Sequence, residues 1–225
     1  MIMPPICSIR PLRVADAKGM LALRVANRDF FEPWEPDSSR ELYTPEGQKR
    51  DLLQREDDWH TDRRYSFAIA APDGEIIGGI VLSNVIRGAL QSANVGYYVA
   101  EKHNGRGVAT EAVRQVVRFA FEEIGLHRVE AGVMPHNPRS MRVLEKAGFT
   151  RIGFAPHYLK LRGGERQVEL GDGQAIFDIA HDAGHELGDE TLPAEEVVGV
   201  HRLEVRQALE RAHPLGGHAS GGGRG

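Results

Sequence analysis

The stretch Asn104-Gly105-Arg106-Gly107-Val108-Ala109-Thr110 decides the fold, because a strand is predicted to run into it and a helix to run out of it. Before it, Tyr97, Tyr98 and Val99 are β-forming residues. After it, apolar side chains recur at helical spacing, at Ala109, Ala112, Val113, Val116, Val117, Ala120 and Ile124. Gly125 then stands where the end of a helix favours a positive φ. A strand, a glycine turn and a helix in succession predict an α/β unit.

The glycines of this turn favour the close approach of an anion. The first N–H groups of a helix have no intrahelical partner and lie at the positive end of its dipole, so a phosphate fits there. The pattern is weak by itself, because two glycines also make a tight turn that binds nothing. It is neither a Walker A loop nor a full dinucleotide fingerprint, since Thr110 stands where the third glycine would be.

A second stretch, Asn137-Pro138-Arg139-Ser140-Met141-Arg142-Val143-Leu144-Glu145-Lys146-Ala147-Gly148-Phe149, strengthens the phosphate interpretation. With it the chain resembles the GNAT superfamily of N-acetyltransferases, and within that superfamily the branch that acetylates the N-termini of ribosomal proteins. The family's turn is Gln/Arg-x-x-Gly-x-Gly/Ala, which Gly107 and Ala109 match while Asn104 replaces the Gln or Arg. The branch's second motif, Asn-x-x-Ser before a helix that ends in Gly-Phe, is matched by Asn137, Ser140, Gly148 and Phe149. The resemblance covers residues 6–162.

The resemblance implies an α/β fold with a mixed, mostly antiparallel twisted sheet, a central splayed parallel strand pair and flanking helices. It implies acetyl-CoA as cosubstrate and no metal. The expected cofactor-binding residues are Tyr98, Val99, Asn104, Gly105, Arg106, Gly107, Val108, Ala109, Thr110 and Asn137. Backbone N–H groups between residues 105 and 110 would hold the diphosphate, and one at Tyr98 or Val99 would polarise the thioester carbonyl.

Two side chains at the second motif have local interpretations as well. Asn137 followed by Pro138 is typical of a helix N-cap with proline at the first helical position, a role compatible with a cofactor contact. Ser140 falls at the third helical position, where a hydroxyl often bonds to nearby backbone. By resemblance, Ser140 would protonate the departing thiolate or hold the water that does so.

The base that deprotonates the acceptor amine is open. Members of the branch can place a glutamate where this chain has Leu159, so His157 and Glu130 are the candidates, with His136 as a further one and a water relay as the alternative. The resemblance implies that Phe31, Trp34 and Tyr97 bound the acceptor pocket. The alternative for the aromatic residues near Pro33 is that they pack in the core.

The remaining pattern predicts a regular order of elements. A strand is expected at 6–11, a helix from Ala15, a helix that begins at Thr44-Pro45-Glu46, and a hairpin of 65–71 and 75–85 around Asp73-Gly74. Gly78-Gly79 inside the second hairpin strand indicates a bulge or the close approach of another group. Further strands are expected at 94–100, 128–134, 150–154, 158–161 and 174–179.

Composition limits the function classes. The 225 residues allow one domain with extensions, and a net charge of −4 argues against a general nucleic-acid binder. A single cysteine and the lack of a signal-like or membrane-spanning run predict a cytoplasmic protein without membrane contact, as a monomer or homodimer. We assign 1–182 to the acetyltransferase domain and 183–225 to an extension with a helix at 194–212 and a disordered glycine-rich tail.

The sequence therefore predicts an N-acetyltransferase that moves an acetyl group from acetyl-CoA to a primary amine, such as the N-terminus of a ribosomal protein. Two alternatives stay open: a small-molecule amine acetyltransferase, and a non-catalytic acyl-CoA-binding module that senses or docks. The metalloprotease-like pair His181 and His185 lacks the glutamate that should follow the first histidine.

Overall fold

A computed structural model of the chain describes residues 5–35, 37–156 and 174–181. Its strands are β1 (Ser8–Pro11), β2 (Tyr65–Ala70), β3 (Ile76–Ile86), β4 (Ser92–Val99), β5 (Arg128–Val133), β6 (Thr150–Ala155) and β7 (Gln174–Ala180). Its α-helices are α1 (Ala17–Ala26), α2 (Arg28–Phe31), α3 (Pro45–His60), α4 (Val108–Arg118) and α5 (Pro138–Lys146). The predicted strand at 158–161, helix at 194–212 and glycine-rich tail lie outside the described residues.

The seven strands of the described chain form one sheet in the order β1-β2-β3-β4-β5-β7-β6. Every neighbouring pair is antiparallel except the central pair, β4 and β5, which is parallel. The predicted mixed α/β fold is confirmed. The predicted last strand is confirmed as β7, and it inserts between β5 and β6 rather than joining the edge.

Helices cover both faces of the sheet. On one face α4 and α5 pack over the larger core, in which Ala112, Val113, Val116 and Val117 of α4 have no exposed surface. On the other face α1 and α3 cover a smaller cluster that contains Met20, Leu23 and Leu52. Because neighbouring residues of a strand point to opposite faces, β2, β3 and β4 contribute to both clusters, whereas β5 and β7 contribute to the larger one.

The start of α3 agrees with the sequence prediction, whereas the end of α4 and the exposure of one residue of α1 differ from it. Thr44 caps α3 by accepting a hydrogen bond from the N–H of Gly47 at 3.1 Å. The helix after the glycine turn is α-helical only to Arg118 and continues as a π-turn, Phe119–Glu123, before Gly125 ends it with φ 66°. The apolar Val25 of α1, expected to cover the sheet, is 57% exposed.

Gly78 and Gly79 lie in β3 because β4 approaches closely there. Gly79 is the cross-strand partner of Tyr98, and a Cβ on it would lie 2.8 Å from the phenol oxygen. A Cβ on Gly78 would collide with the carbonyl oxygen of Tyr98. The close approach predicted from the glycine pair is confirmed, and the approaching group is the neighbouring strand.

Candidate active site

The central parallel strands separate along their length. β4 and β5 pair only where Ser92, Ala93 and Asn94 face Arg128, Val129 and Glu130. Beyond that point β4 stays paired to β3 as far as Val99, and β5 stays paired to β7 as far as Val133. Each strand therefore keeps its outer partner and leaves its inner edge open. We call this opening the splay.

The antiparallel pairing with β3 determines which backbone N–H groups of β4 point into the splay. The N–H of Ala100 donates to the carbonyl of Ile77 at 2.8 Å. Since residues of an antiparallel strand alternate between directing their N–H to one neighbour and to the other, Tyr98 faces β3 and Val99 faces away from it. Of the two donors expected for a thioester carbonyl, the N–H of Val99 is the one directed into the splay.

The glycine turn between β4 and α4 has the backbone that an anion site requires. Gly105 and Gly107 have φ values of 74° and 83°, in the left-handed region that favours glycine. The N–H of Asn104 donates to the carbonyl of Glu101 at 3.1 Å, and the N–H of Glu111 donates to the carbonyl of Gly107 at 3.0 Å. Among the described residues no hydrogen bond satisfies the N–H groups of 105–110, which lie between these two donors.

The side chains of the turn leave this row of donors accessible. A Cβ on Gly105 would meet no atom within 4 Å, and Arg106 is exposed beside it. The side-chain amide of Asn104 turns back to the carbonyl of Ala100 at 3.5 Å. Unpaired N–H groups at the start of a helix, open space above a glycine and a neighbouring guanidinium fit a diphosphate group.

Ser140 lies at the start of α5, on the face of the sheet that α4 and α5 cover. Its N–H donates to Oδ1 of Asn137 at 3.0 Å, so Asn137 caps the helix as its position predicts. The phenol oxygen of Tyr97 lies 2.8 Å from Oγ of Ser140. Tyr97 thus connects the open edge of β4 with the first turn of α5.

The opposite face of the sheet carries two of the three aromatic residues expected at the acceptor pocket, Phe31 and Trp34, whereas Tyr97 lies on the α5 side. Phe31 is only 4% exposed and packs edge-on against Tyr98, with ring centroids 5.3 Å apart. Trp34 is 41% exposed and stacks on His136, with ring centroids 5.5 Å apart. His136 follows β5 in the chain. Phe31 therefore belongs to the core below this surface. Trp34 and His136 lie on its outside, close to the end of β5.

A buried polar group ties the Trp34 segment to the sheet, and sequence reasoning missed it. The guanidinium of Arg24 is almost fully buried, lies 5.0 Å from the ring centre of Tyr98 and forms an ion pair with Glu35. The other oxygen of Glu35 accepts a hydrogen bond from the hydroxyl of Tyr43 at 2.9 Å. The available signal was the place of Arg24 on the apolar face of α1, one turn after Met20.

Of the two candidate bases, only Glu130 lies among the described residues. Glu130 lies at the closed end of the splay, on the face opposite α5, where its carboxylate is 3.0 Å from the guanidinium of Arg128. The same guanidinium is 3.1 Å from Asp178 of β7. His157 lies outside the described residues. Within those residues no group of three or more His, Cys, Asp or Glu side chains could hold a metal ion.

Comparison with known proteins identifies the family to which this arrangement belongs. Residues 8–150 match the family model described as "Acetyltransferase (GNAT) domain". The chain belongs to the GNAT acetyltransferase family. The chain is therefore an acetyl-CoA-dependent N-acetyltransferase of this type.

The relatives of this GNAT acetyltransferase include one whose name states its acceptor. A probable N-acetyltransferase, YjcK of Bacillus subtilis, is 48% identical over 69% of this chain and 86% of its own length. The ribosomal protein uS5-alanine N-acetyltransferase of Escherichia coli is 32% identical over 69% of this chain and 80% of its own length. The structure of Mycobacterium smegmatis RimJ in complex with CoA-disulfide matches with a TM-score of 0.72 and 28% identity, covering 90% of each chain.

No described helix of this acetyltransferase is long and apolar enough to cross a membrane.

Proposed function

We propose that the acceptor is the N-terminal amine of a protein, with ribosomal proteins as the acceptor class, and that the amine attacks acetyl-CoA directly in a ternary complex. The splay carries this proposal, because it is open to two faces of one sheet. The residues proposed to bind acetyl-CoA lie towards α4 and α5, and Trp34 and His136 lie on the other side. The relative that acetylates uS5 supports the choice of acceptor class.

Donor binding rests on the backbone of the glycine turn. The N–H groups of residues 105–110 would donate to the diphosphate, and Arg106 adds a positive charge at the rim. Asn137 uses Oδ1 for its cap, so its amide nitrogen remains for the cosubstrate. The open edges of β4 and β5 offer backbone groups to the amide bonds of the pantetheine arm.

Acetyl transfer needs stabilisation of two developing charges. The N–H of Val99, directed into the splay, would donate to the carbonyl oxygen of the thioester as it gains negative charge. Ser140 would serve the sulfur, which leaves as a thiolate. Removing one such oxyanion donor typically slows a reaction by ~10²–10³.

The amine must lose a proton before it attacks, and Glu130 and His157 are the proposed bases. The ion pair with Arg128 holds Glu130 at the closed end of the splay, on the acceptor face. Glu130→Gln and His157→Asn separate the candidates: loss of the acidic limb of the pH-rate profile in one variant assigns the base. An unchanged profile in both leaves His136 and a water relay, which His136→Asn then separates.

A peptide screen tests the acceptor class. Release of coenzyme A is measured with acetyl-CoA and peptides that begin with a free alanine and carry one internal lysine. The same peptides with a blocked N-terminus are matched controls, and simple diamines and polyamines test the small-molecule alternative. We expect turnover with free N-termini only, acetylation of the α-amine by mass spectrometry, and a rate lower by ~10²–10⁴ in Ser140→Ala.

Other outcomes of the screen contradict the proposal. Turnover with polyamines and none with peptides would assign a small-molecule acceptor. Thermal stabilisation by acetyl-CoA without turnover of any amine would support the sensor alternative, because binding to the folded state stabilises it whether or not chemistry follows.

A further inference from the structure

Tyr97 and Ser140 form a hydroxyl pair across the sheet and α5, although they are 43 residues apart in the chain. The phenol oxygen lies 2.8 Å from Oγ of Ser140 and 3.3 Å from its carbonyl oxygen. Burial raises the pKa of Tyr97 to about 12, so the phenol keeps its proton at neutral pH. Tyr97 is therefore available as a hydrogen-bond donor to Ser140.

The contact with Tyr97 replaces the local hydrogen bond that a serine hydroxyl usually makes at the start of a helix. A serine in the first turn often bonds to nearby backbone, which would turn its hydroxyl away from a ligand. Here the cap is supplied by Asn137, which accepts from the N–H of Ser140, and the hydroxyl meets Tyr97. Backbone and side chain of Ser140 are thus held by two different residues.

The side chain of Tyr97 also lies apart from the aromatic residues with which the sequence interpretation grouped it. Tyr97 packs against the cluster under α4 and α5, whereas Phe31 contacts Tyr98 on the opposite face. Neighbouring residues of a strand point to opposite faces, so Tyr97 and Tyr98 serve different sides of the splay.

We propose that Tyr97 is a positioning residue which donates its hydroxyl hydrogen to Oγ of Ser140, so that the single proton of the serine hydroxyl is directed at the sulfur of coenzyme A. This inference rests on the role proposed for Ser140 in acetyl transfer. A serine hydroxyl has one donor hydrogen and two acceptor lone pairs. With one lone pair occupied by Tyr97, the hydrogen is free to point into the splay.

The reaction balances without net loss of a proton from either hydroxyl. The lone pair of the acceptor nitrogen forms the new C–N bond, and the C–S bond breaks with its electron pair on sulfur. The acceptor nitrogen releases one proton, and the thiolate of coenzyme A takes up one proton to become the thiol. Ser140 stabilises the sulfur charge between these events, and Tyr97 holds Ser140 in the orientation that does so.

Titration of the thiol of bound coenzyme A tests the inference without any acceptor. The methylene carbon next to sulfur is labelled with carbon-13, and its chemical shift is followed against pH in complexes of the wild type, Ser140→Ala, Tyr97→Phe and the double variant. Hydrogen-bond donation favours the thiolate, so we expect Ser140→Ala to raise the thiol pKa by about 1. Tyr97→Phe should raise it less, and the double variant no more than Ser140→Ala.

Tyr65→Phe is the matched control. It removes the hydroxyl of another buried tyrosine, which donates to Asp62 at 2.6 Å at the far end of the sheet, and it should leave the thiol pKa unchanged. In turnover, Tyr97→Phe should lower kcat about tenfold at unchanged KM for acetyl-CoA, because the ring that packs in the core is kept.

The outcomes separate this inference from the proposed function. A thiol pKa raised by Ser140→Ala and untouched by Tyr97→Phe would overturn the positioning role and leave that of Ser140 intact. Additive effects of the two substitutions would overturn it as well, by showing that Tyr97 acts on sulfur independently. Failure of coenzyme A to bind the wild type would contradict the proposed function itself.

Discussion

Gly105 shows how one missing Cβ prepares a ligand site. Its φ of 74° lies in the left-handed region, and the space where a Cβ would stand is open. In this conformation the N–H groups at the start of α4 are not covered by any side chain of the turn. The residue is therefore needed twice, for its backbone conformation and for the room above it.

A comparison of Gly105→Ala with Gly74→Ala should separate the need for the backbone conformation from the need for open space. Gly74 lies in the β2–β3 turn with φ 88°, and a Cβ on it would also meet no atom within 4 Å, so Gly74→Ala carries similar strain far from the splay. Both variants should lose about 1–2 kcal/mol of stability. Only Gly105→Ala should bind coenzyme A more weakly, by about tenfold in calorimetry. Equal affinities in the two variants would show that the turn does not contact the cosubstrate.

Single-residue features could be predicted from the sequence where their cause is local, and could not be predicted where they depend on tertiary contacts. The positive φ at Gly125 and the cap at Asn137 have local causes and were predicted from the sequence. The contacts of Tyr97 with Ser140 and of Arg24 with Glu35 depend on which elements meet in space. Nothing in the spacing of these residues specifies such contacts, so only the folded chain shows them.

At the scale of elements, the closed end of the splay is held by an ion pair. The guanidinium of Arg87 binds both oxygens of Asp62 at 2.6 Å and also donates to the carbonyl of Ile124 at 2.8 Å. These contacts join the segment after α3, the β3–β4 connection and the segment before β5. The arrangement keeps β4 and β5 together at one end, so that they separate only towards the glycine turn.

Loss of Arg87 should destabilise the whole sheet. Arg87→Ala leaves the mostly buried carboxylate of Asp62 without its positively charged partner, and we expect a loss of about 3 kcal/mol in urea unfolding. Arg50→Ala removes an exposed ion pair with Glu41 and should cost at most about 1 kcal/mol. Similar losses in the two variants would argue that the Arg87 contacts do not hold the elements together.

Most elements were predicted from periodicity and turn chemistry, and their order was not. The hairpin at Asp73-Gly74 and the start of α3 at Thr44 follow local rules. The insertion of β7 between β5 and β6 is a long-range pairing, which alternation within one strand does not specify. The splay itself was expected from the family resemblance, and the pairing of only three residues in each strand confirms it.

For the whole molecule, buried groups that stay protonated predict sensitivity to alkali. Burial raises the pKa of Cys7 and of Tyr97 to about 12 each. Partial burial and the hydrogen bond to Glu35 raise the pKa of Tyr43 to about 12. Their pKa values are higher in the folded state than in the unfolded state. The stability they contribute is therefore complete below the unfolded values, about 8.5 for cysteine and about 10 for tyrosine, and is lost as pH rises towards the folded values.

Unfolding by urea should show this loss between about pH 9 and pH 12, with a nearly constant free energy of unfolding from about pH 7 to pH 8.5. In Cys7→Ala the fall should be smaller, by roughly 2 to 3 kcal/mol at about pH 10.5, since only the unfolded wild-type thiol ionises there. The same decline in both proteins would contradict the assignment to Cys7.

The central claim is that backbone N–H groups between β4 and α4 hold the diphosphate of acetyl-CoA, and a structure of the protein with bound coenzyme A tests it most directly. We predict diphosphate oxygens within about 2.7–3.2 Å of N–H groups of residues 105–110, with the pantetheine arm between β4 and β5 and the sulfur next to Ser140. A diphosphate bound elsewhere, with the glycine turn unoccupied, would contradict the account.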